Sequence, residues 1–183
     1  MIHDYQESRI IGVGPSTWSL TYTEGMALPD AYIVGLELLA RRELSEAQLR
    51  SRLARRHFGG ADIDIAVERL SHERALDDRR MALSCARREV LVRRRGRIRV
   101  LRHIAALGIA SETARSAVDE VFDEVDETML LEQALDRRLE RGLTLDEPAM
   151  VRRMHRHLIA QGFDPGHVAM LLRRRARGVV VEY

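Results

Sequence analysis

Lysine is absent from the sequence, because all 30 of its basic residues are arginine. An arginine guanidinium stays charged and offers a planar set of donors to a phosphate or a carboxylate. We attribute the missing lysine mainly to the base composition of the genome. The 28 acidic residues leave a formal net charge of +2, and this modest total conceals strong local patterning.

Several other residue types are scarce. The single cysteine, Cys85, excludes an internal disulfide and suits a reducing compartment. The first residues lack the basic segment and apolar core of a signal peptide, and no apolar run approaches the roughly 20 residues of a membrane span. We therefore expect a cytoplasmic protein with no membrane partner. With few glycines and prolines and only 4% aromatic residues, an all-β fold is disfavoured.

The charges form separate basic and acidic blocks. Eight arginines and one acid, Glu89, lie between Arg87 and Arg102, and four arginines without an acid lie within 173–177. Six acids without a base lie within 119–127. A basic face can meet nucleic acid or an acidic protein. The alternative is a set of solvated helix faces that pair with one another, and composition alone leaves both open.

A repeat of about 50 residues occurs three times. Residues 49–70, 100–121 and 154–175 align without gaps at offsets of 51 and 54 residues. Each segment is typical of a helix, a tight turn and a second helix with one apolar stripe per helix. The stripes include Ile63, Val67 and Leu70, then Ala114, Val118, Val121, Phe122 and Val125. The turns contain Gly59 and Gly60, Gly108, and Gly162, where glycine can end a helix in the left-handed conformation; Ile109 and Phe163 can then plug the turn.

A further helix is predicted before each pair, over about 30–42, 78–92 and 127–141. The inner faces predicted for these helices are Ile33, Leu36, Leu39 and Ala40; Met81, Cys85 and Val92; and Leu131, Leu135 and Leu139. Start signals support this division: Ser45 and Gln48 have capping-box spacing, Asp77 or Asp78 can cap a helix, and Pro148 suits a first turn.

The predicted fold class is therefore all-α, with three tandem three-helix repeats. A module of roughly 50 residues buries little surface alone, so we expect the repeats to stack into an elongated, curved array. A short β-hairpin is predicted within 9–24, where Trp18, Leu20 and Tyr22 alternate. The expected division is an N-terminal extension 1–29, repeats 30–77, 78–125 and 126–178, and a tail 179–183.

No constellation of residues points to catalysis. Cys85 has apolar neighbours, which favours a buried, structural thiol. His155 and His157 are two apart on a predicted helix and face different directions, and helix capping explains Asp77 and Asp78. Residues 12–14 lack the helix that a phosphate-binding loop requires. We expect no enzyme activity, cofactor or metal site.

Several motifs together resemble the RecX family of regulatory proteins. They are AYIVGLELLARRELSEAQLRSRLARRHF at 31–58, ALDDRRMA at 75–82, RRGRIRVLRHIAALGI at 94–109 and LIAQGFDPGHV at 158–168. The resemblance covers about residues 30–176. The sequence departs from the family pattern at His57, where glycine is usual, and at Met81, where phenylalanine is commoner.

The resemblance implies a regulatory function. RecX proteins bind the filament that the RecA recombinase forms on DNA, lie along its helical groove, inhibit ATP hydrolysis and strand exchange, and promote disassembly. The expected role is modulation of recombination and DNA repair in the SOS response. The implied partners are the RecA filament and, weakly and in a salt-dependent way, single- or double-stranded DNA. We expect a monomer. The alternatives are a DNA-binding helical protein acting without a recombinase, and a protein–protein scaffold.

Arginines without nearby acids in the sequence are the candidate contacts to filament or DNA. The central group lies around Gly96, which is expected to break the helix and let the arginines fan outward. If several contact phosphate, affinity should fall steeply with salt; the competing interpretation is pairing with acids on adjacent helices. The candidate residues are Arg93, Arg94, Arg95, Arg97, Arg99, Arg55, Arg56, Arg152, Arg153, Arg156, Arg173, Arg174 and Arg175.

Overall fold

The structure, a computed structural model, describes residues 30–140 and 142–179. This part of the chain is helical throughout, with nine α-helices and one π-helical segment. The hairpin expected within 9–24 lies outside the described residues. None of the described helices combines the length and the apolar character that crossing a membrane would require. The elements are α1 (Ala31–Arg41), α2 (Glu46–Ala54), α3 (Gly60–His72), α4 (Asp78–Arg87), the π-helical segment (Arg88–Val92), α5 (Arg97–Ala105), α6 (Ser111–Asp123), α7 (Glu127–Leu139), α8 (Pro148–Ala160) and α9 (Pro165–Val179).

The helices form three successive trios, α1–α3, α4–α6 and α7–α9, which confirms the tandem three-helix repeats. The first helix of each trio packs on the third, and the second packs on the third beside it. The first trio has its own apolar core, centred on Leu49, Leu53 and Leu70. The second and third trios share one continuous core that contains Ile104 and Leu158. Below, the trios are called modules 1, 2 and 3.

The predicted helix starts are confirmed by their caps. Ser45 Oγ accepts a hydrogen bond from the amide of Gln48 at 3.2 Å, and the Gln48 side chain accepts from the amide of Ser45. This reciprocal pair satisfies two amides that the first turn of a helix otherwise leaves unpaired. Asp77 caps α4 through the amide of Arg80, and Pro148 occupies the first turn of α8.

The turn between the second and third helices has the same backbone in all three modules. Its left-handed residue is Gly108 in module 2, with φ of 81°, and Gly162 in module 3, with φ of 94°. In module 1 the left-handed residue is His57, with φ of 67°, whereas Gly59 is an extended N-cap. The expected plugs Ile109 and Phe163 are both buried.

The predicted inner faces of α1 and α4 were wrong in register. In α1 the buried residues are Ala31, Val34, Gly35 and Leu38, whereas Ile33 is 47% exposed. Gly35 lies so close to α3 that an added Cβ would stand 2.7 Å from a methyl of Leu70. In α4 the buried residues are Ala82 and Ala86, while Met81 and Cys85 are only partly buried. Small residues therefore form the contact face of α4 and half of that of α1, because close packing of helix backbones leaves little room for larger side chains.

The π-helical segment explains the exposure of Val92. A π turn inserts an extra residue into the helix and shifts the phase of every side chain after it. Val90 and Glu89 are consequently buried, while Val92 is 63% exposed. For α7 the prediction was closer, since Leu131 and Leu135 are buried and Leu139 is partly buried.

Consecutive modules meet through one repeated arrangement. The start of the second helix of one module lies against the left-handed turn of the next. Between modules 1 and 2, Ser45 Oγ donates to the carbonyl of Leu107, and an added Cβ on Gly108 would lie 2.5 Å from Cβ of Ala47.

The junction of modules 2 and 3 is closer still. The amide of Gly96 donates to the carbonyl of Gln161 at 3.0 Å, and the amide of Ile98 donates to the carbonyl of Gly162 at 3.2 Å. These are hydrogen bonds between the backbones of different modules. They hold the region around Gly96 against α8 and bring the arginines on either side of it to the junction.

Candidate binding surfaces

The π-helical segment buries a carboxylate among the central arginines. Glu89 has a side chain that is 1% exposed, and it accepts a hydrogen bond from Arg93 at 2.8 Å and a second one from Arg95. His103 Nε2 lies 3.7 Å from the same carboxylate. A buried charge is tolerated only when it is paired in this way. The expectation that the arginines around Gly96 lack a nearby acid was therefore wrong for Arg93 and Arg95.

Arg97 and Arg99 also have partners inside the fold. Arg97 pairs with Asp119 and with Glu127, the latter at 3.0 Å, and its guanidinium lies 4.7 Å from the centre of the Phe122 ring. Arg99 donates to the carbonyl of Ala160 at 2.8 Å. The acidic block 119–127 is thus partly neutralised across helices rather than uniformly solvated.

Two arginines of α9 are paired as well. Arg174 pairs with Glu132, and Arg175 pairs with Asp136 at 2.9 Å; both acids lie on α7. Surface pairs of this kind contribute at most about 1 kcal/mol each. These arginines therefore remain able to exchange their partners for an external anion.

The other candidate arginines have no carboxylate within 4.0 Å among the residues that the structure describes. Arg94 is half-buried and donates to the carbonyl of Leu91, and Arg55 bonds back to the carbonyl of Ser51. The remaining members of this group are exposed: Arg56, Arg152, Arg153, Arg156 and Arg173.

Four arginines converge on a pocket of about 150 Å³ at the junction of modules 2 and 3. We call it the arginine pocket; Arg93 and Arg94 line it from one side and Arg137 and Arg138 from the end of α7, with His157 on α8. Arg137 donates to the carbonyl of Val92 at 3.2 Å. The pocket has room for several water-sized groups and therefore for an anion the size of phosphate.

His157 lines the arginine pocket from α8 with a partly buried ring. Burial lowers the pKa of His157, and the charges of Arg138 and Arg99 lower it further. Arg138 Nε donates to His157 Nε2 at 3.1 Å, so the ring acts as an acceptor for the guanidinium. The positive charge of the pocket is carried by the arginines.

Sequence reasoning missed Arg137 and Arg138. They lie among several acids, and a dipeptide of arginines in the last turn of a helix is expected from the helix dipole alone. Only the close approach of α7 to the end of the π-helical segment places them beside Arg94. Their positive sign at a helix end was the single available signal.

A second surface lies between α8 and α9 and has a volume of about 570 Å³. We call it the α8–α9 groove. Its floor consists of Val151, Ala169, Leu172 and Ala176, and its rim consists of Arg152, Arg156, Arg173 and His155. Three candidate arginines of the sequence analysis are thus brought together here, whereas Arg55 and Arg56 lie in module 1.

The described residues contain no group of three or more side chains able to hold a metal ion. Cys85 is half-buried, and burial together with the nearby Glu89 raises the pKa of its thiol, which opposes nucleophilic reactivity. Asp77 is the N-cap of α4, as one of the two predicted alternatives. Asp78 instead accepts from the amide of Glu46 in module 1, at 2.8 Å.

The described part of the chain is an all-helical array of tandem three-helix modules with arginine-lined surfaces. Residues 31–70 match the family model of the RecX first three-helix domain. The regulatory protein RecX of Syntrophotalea carbinolica is 32% identical over 109 residues, which is 60% of this chain and 71% of that protein. That of Chromohalobacter salexigens is 31% identical over 129 residues, or 70% of this chain and 82% of that protein. The chain belongs to the RecX family of regulatory proteins.

The fold is also similar to that of solved structures. The crystal structure of RecX from Lactobacillus salivarius has a TM-score of 0.69 at 15% identity and covers 79% of this chain and 93% of its own. A second crystal structure of a regulatory protein RecX has a TM-score of 0.66 at 19% identity, covering 76% of this chain and 68% of that one. At such low identity the likeness concerns the fold.

Proposed function

We propose that this protein binds RecA–DNA filaments along their helical groove and inhibits ATP hydrolysis and strand exchange by RecA. Membership of the RecX family supports a regulatory role. The observation that carries the contact to the filament is the arginine pocket, where four guanidinium groups meet with one carboxylate, Glu89, close by. A filament of protein on DNA presents phosphates and acidic side chains, and guanidinium groups bind both.

The arginines around Gly96 have different roles in this contact. Arg93 and Arg95 hold the buried Glu89 and so maintain the shape of the pocket. Arg94 and Arg137 donate only to carbonyl oxygens in the described residues, and these two contact the filament. Reversing the charge of Arg93 or Arg95 would test folding rather than binding.

A titration of RecA ATPase on single-stranded DNA tests the proposal. Substoichiometric wild-type protein should lower the rate, and the double variant R94E/R137E should need about tenfold more protein for the same inhibition, equivalent to about 1.4 kcal/mol. The matched control is R102E/R115E, which makes the same change of charge at two exposed arginines outside the pocket. Strand exchange is measured in parallel.

The outcome that contradicts the proposal is simple. Wild-type protein that leaves the ATPase rate unchanged at equimolar concentration and low salt would refute it. Equal inhibition by R94E/R137E and by the wild type would remove the arginine pocket from the interface while leaving the regulatory role intact. Circular dichroism confirms that each variant is folded.

A second candidate function is binding of DNA without a recombinase partner, which the convergence of Arg93, Arg94, Arg137 and Arg138 favours. In that case DNA affinity is the same with and without RecA, and the logarithm of the affinity falls with the logarithm of salt in proportion to the phosphates contacted. Filter binding at several salt concentrations separates the two functions.

A further inference from the structure

The α8–α9 groove occupies a position that is filled in module 2. With the repeat offset of 54 residues, Val151, Arg173 and Ala176 correspond to Arg97, Asp119 and Phe122. In module 2 the guanidinium of Arg97 covers the Phe122 ring and pairs with Asp119. In module 3 the smaller Val151 and Ala176 stand where module 2 has Arg97 and Phe122. The volume that the larger side chains fill in module 2 is open here.

Both internal junctions show what this position accepts. Arg97 also pairs with Glu127, the first residue of α7 in the following module. In module 1 the corresponding residue is Glu46, whose amide donates to Asp78, the first residue of α4. At both junctions, the first helix of a module begins with an acidic turn. This turn lies on the start of the second helix of the preceding module.

Module 3 has the same position but no further module among the described residues. Its rim carries Arg152, Arg156 and Arg173, of which Arg173 stands where module 2 has Asp119. Its floor is apolar, with Val151, Ala169 and Ala176 partly exposed above the buried Leu172. We propose that the α8–α9 groove is the docking site for the acidic first turn of an amphipathic helix supplied by a partner protein.

Two other occupants fit less well. If a second copy stacked end to end, the left-handed turn of its module 1 would lie against the start of α8. Both internal junctions need glycine in that turn, because an added Cβ on Gly162 would lie 2.3 Å from the amide nitrogen of Arg99. In module 1 the residue at the glycine position is His57, whose side chain blocks such a contact. A nucleic-acid backbone would satisfy the arginines but would leave the partly exposed Val151, Ala169 and Ala176 without an apolar partner.

Fluorescence anisotropy with the full-length protein tests this site without RecA, so its result is separate from that of the ATPase titration. The probe is a dye-labelled helical peptide with an aspartate cap, three glutamates in its first turn and leucines spaced by three and four. The control peptide has the corresponding amides, and a third probe is a single-stranded oligonucleotide. We expect the acidic peptide to bind at least tenfold more tightly than the amide peptide.

Two variants separate the floor from the rim. A176F restores the aromatic ring of module 2 and should weaken the acidic peptide at least tenfold while leaving oligonucleotide binding unchanged. R156Q/R173Q should reduce the acidic peptide to the affinity of the amide peptide, whereas the matched control R102Q/R115Q should not. Circular dichroism checks the fold of each variant.

Equal affinity for the two peptides, absence of binding up to about 500 µM protein, or indifference to A176F would each overturn the proposal. Loss of oligonucleotide binding in A176F would assign the groove to nucleic acid instead. A dimer of the wild type that A176F dissociates, measured by sedimentation, would assign it to a second copy.

Discussion

Replacing Gly162 by alanine should break the junction between modules 2 and 3. Gly162 has φ of 94°, and its added Cβ would lie 2.3 Å from the amide nitrogen of Arg99. The clash is with backbone, which cannot rotate away as a side chain can. Relief requires separation of α8 from the start of α5, and this would break the backbone hydrogen bonds from Gly96 to Gln161 and from Ile98 to Gly162.

The expected cost follows from three contributions. Left-handed backbone costs an alanine about 1–2 kcal/mol, two lost hydrogen bonds cost about 0.5–1.5 kcal/mol each, and residual overpacking costs about 1 kcal/mol or more. The sum is about 3–6 kcal/mol. The matched control is Gly142→Ala, because Gly142 has φ of 80° but open space around its Cβ position. Gly142→Ala should be destabilised only by the left-handed backbone, by about 1–2 kcal/mol.

Urea and thermal unfolding followed by circular dichroism measure this difference. For a chain of this size 1 kcal/mol corresponds to about 2–4 °C in Tm, so G162A should melt about 5–15 °C below G142A. Equal destabilisation of the two variants, within about 1 kcal/mol, would refute the reasoning, since it would mean that no backbone contact crosses the junction at Gly162.

Four further outcomes are expected. Glu89→Gln removes the buried charge that Arg93 and Arg95 share and should cost about 2–4 kcal/mol in urea unfolding, whereas the exposed Glu112→Gln should cost nearly nothing. Ser45→Ala removes the cap of α2 and the bond to module 2, so it should cost about 1–3 kcal/mol; a Tm equal to that of the wild type would contradict the second contact. Because the pKa of His157 is lowered below 6.5 in the fold, the unfolded chain binds more protons there, and stability should fall as pH decreases through and below 6.5; His157→Gln should reduce this slope between pH 7.5 and 5.5. Cys85, with its raised pKa, should react with a thiol reagent at pH 8 more slowly than free cysteine, and equal rates would contradict its burial.

Much of the fold could be predicted because its signals are local. The period of the apolar residues in α3 and α6, the capping box at Ser45 and the glycines at 108 and 162 each depend on neighbours within a few residues. The register of α1 could not, because Ala31 and Gly35 make up half of its buried face and carry little hydrophobic signal beside Val34 and Leu38. They are buried because α3 approaches closely.

The candidate site was harder to predict, because charge pairing depends on distances across the fold. Arg97 reaches Asp119 and Glu127, which lie 22 and 30 residues away in the chain. The five arginines at 93–99 looked alike in the sequence, yet Arg95 is a partly buried partner of Glu89 and Arg94 lines a pocket. The π turn that separates their directions has no sequence motif by which it could be predicted.

Local periodicity and turn chemistry were sufficient to predict three helical trios, since helices and their ends form from interactions a few residues apart. The family resemblance came from the sequence motifs within those trios. Packing alone determined which arginines pair with acids inside the fold and which line the arginine pocket and the α8–α9 groove. The physical reason is that a guanidinium is neutralised by whichever carboxylate or carbonyl lies within a few ångströms, and that distance is set by the meeting of modules.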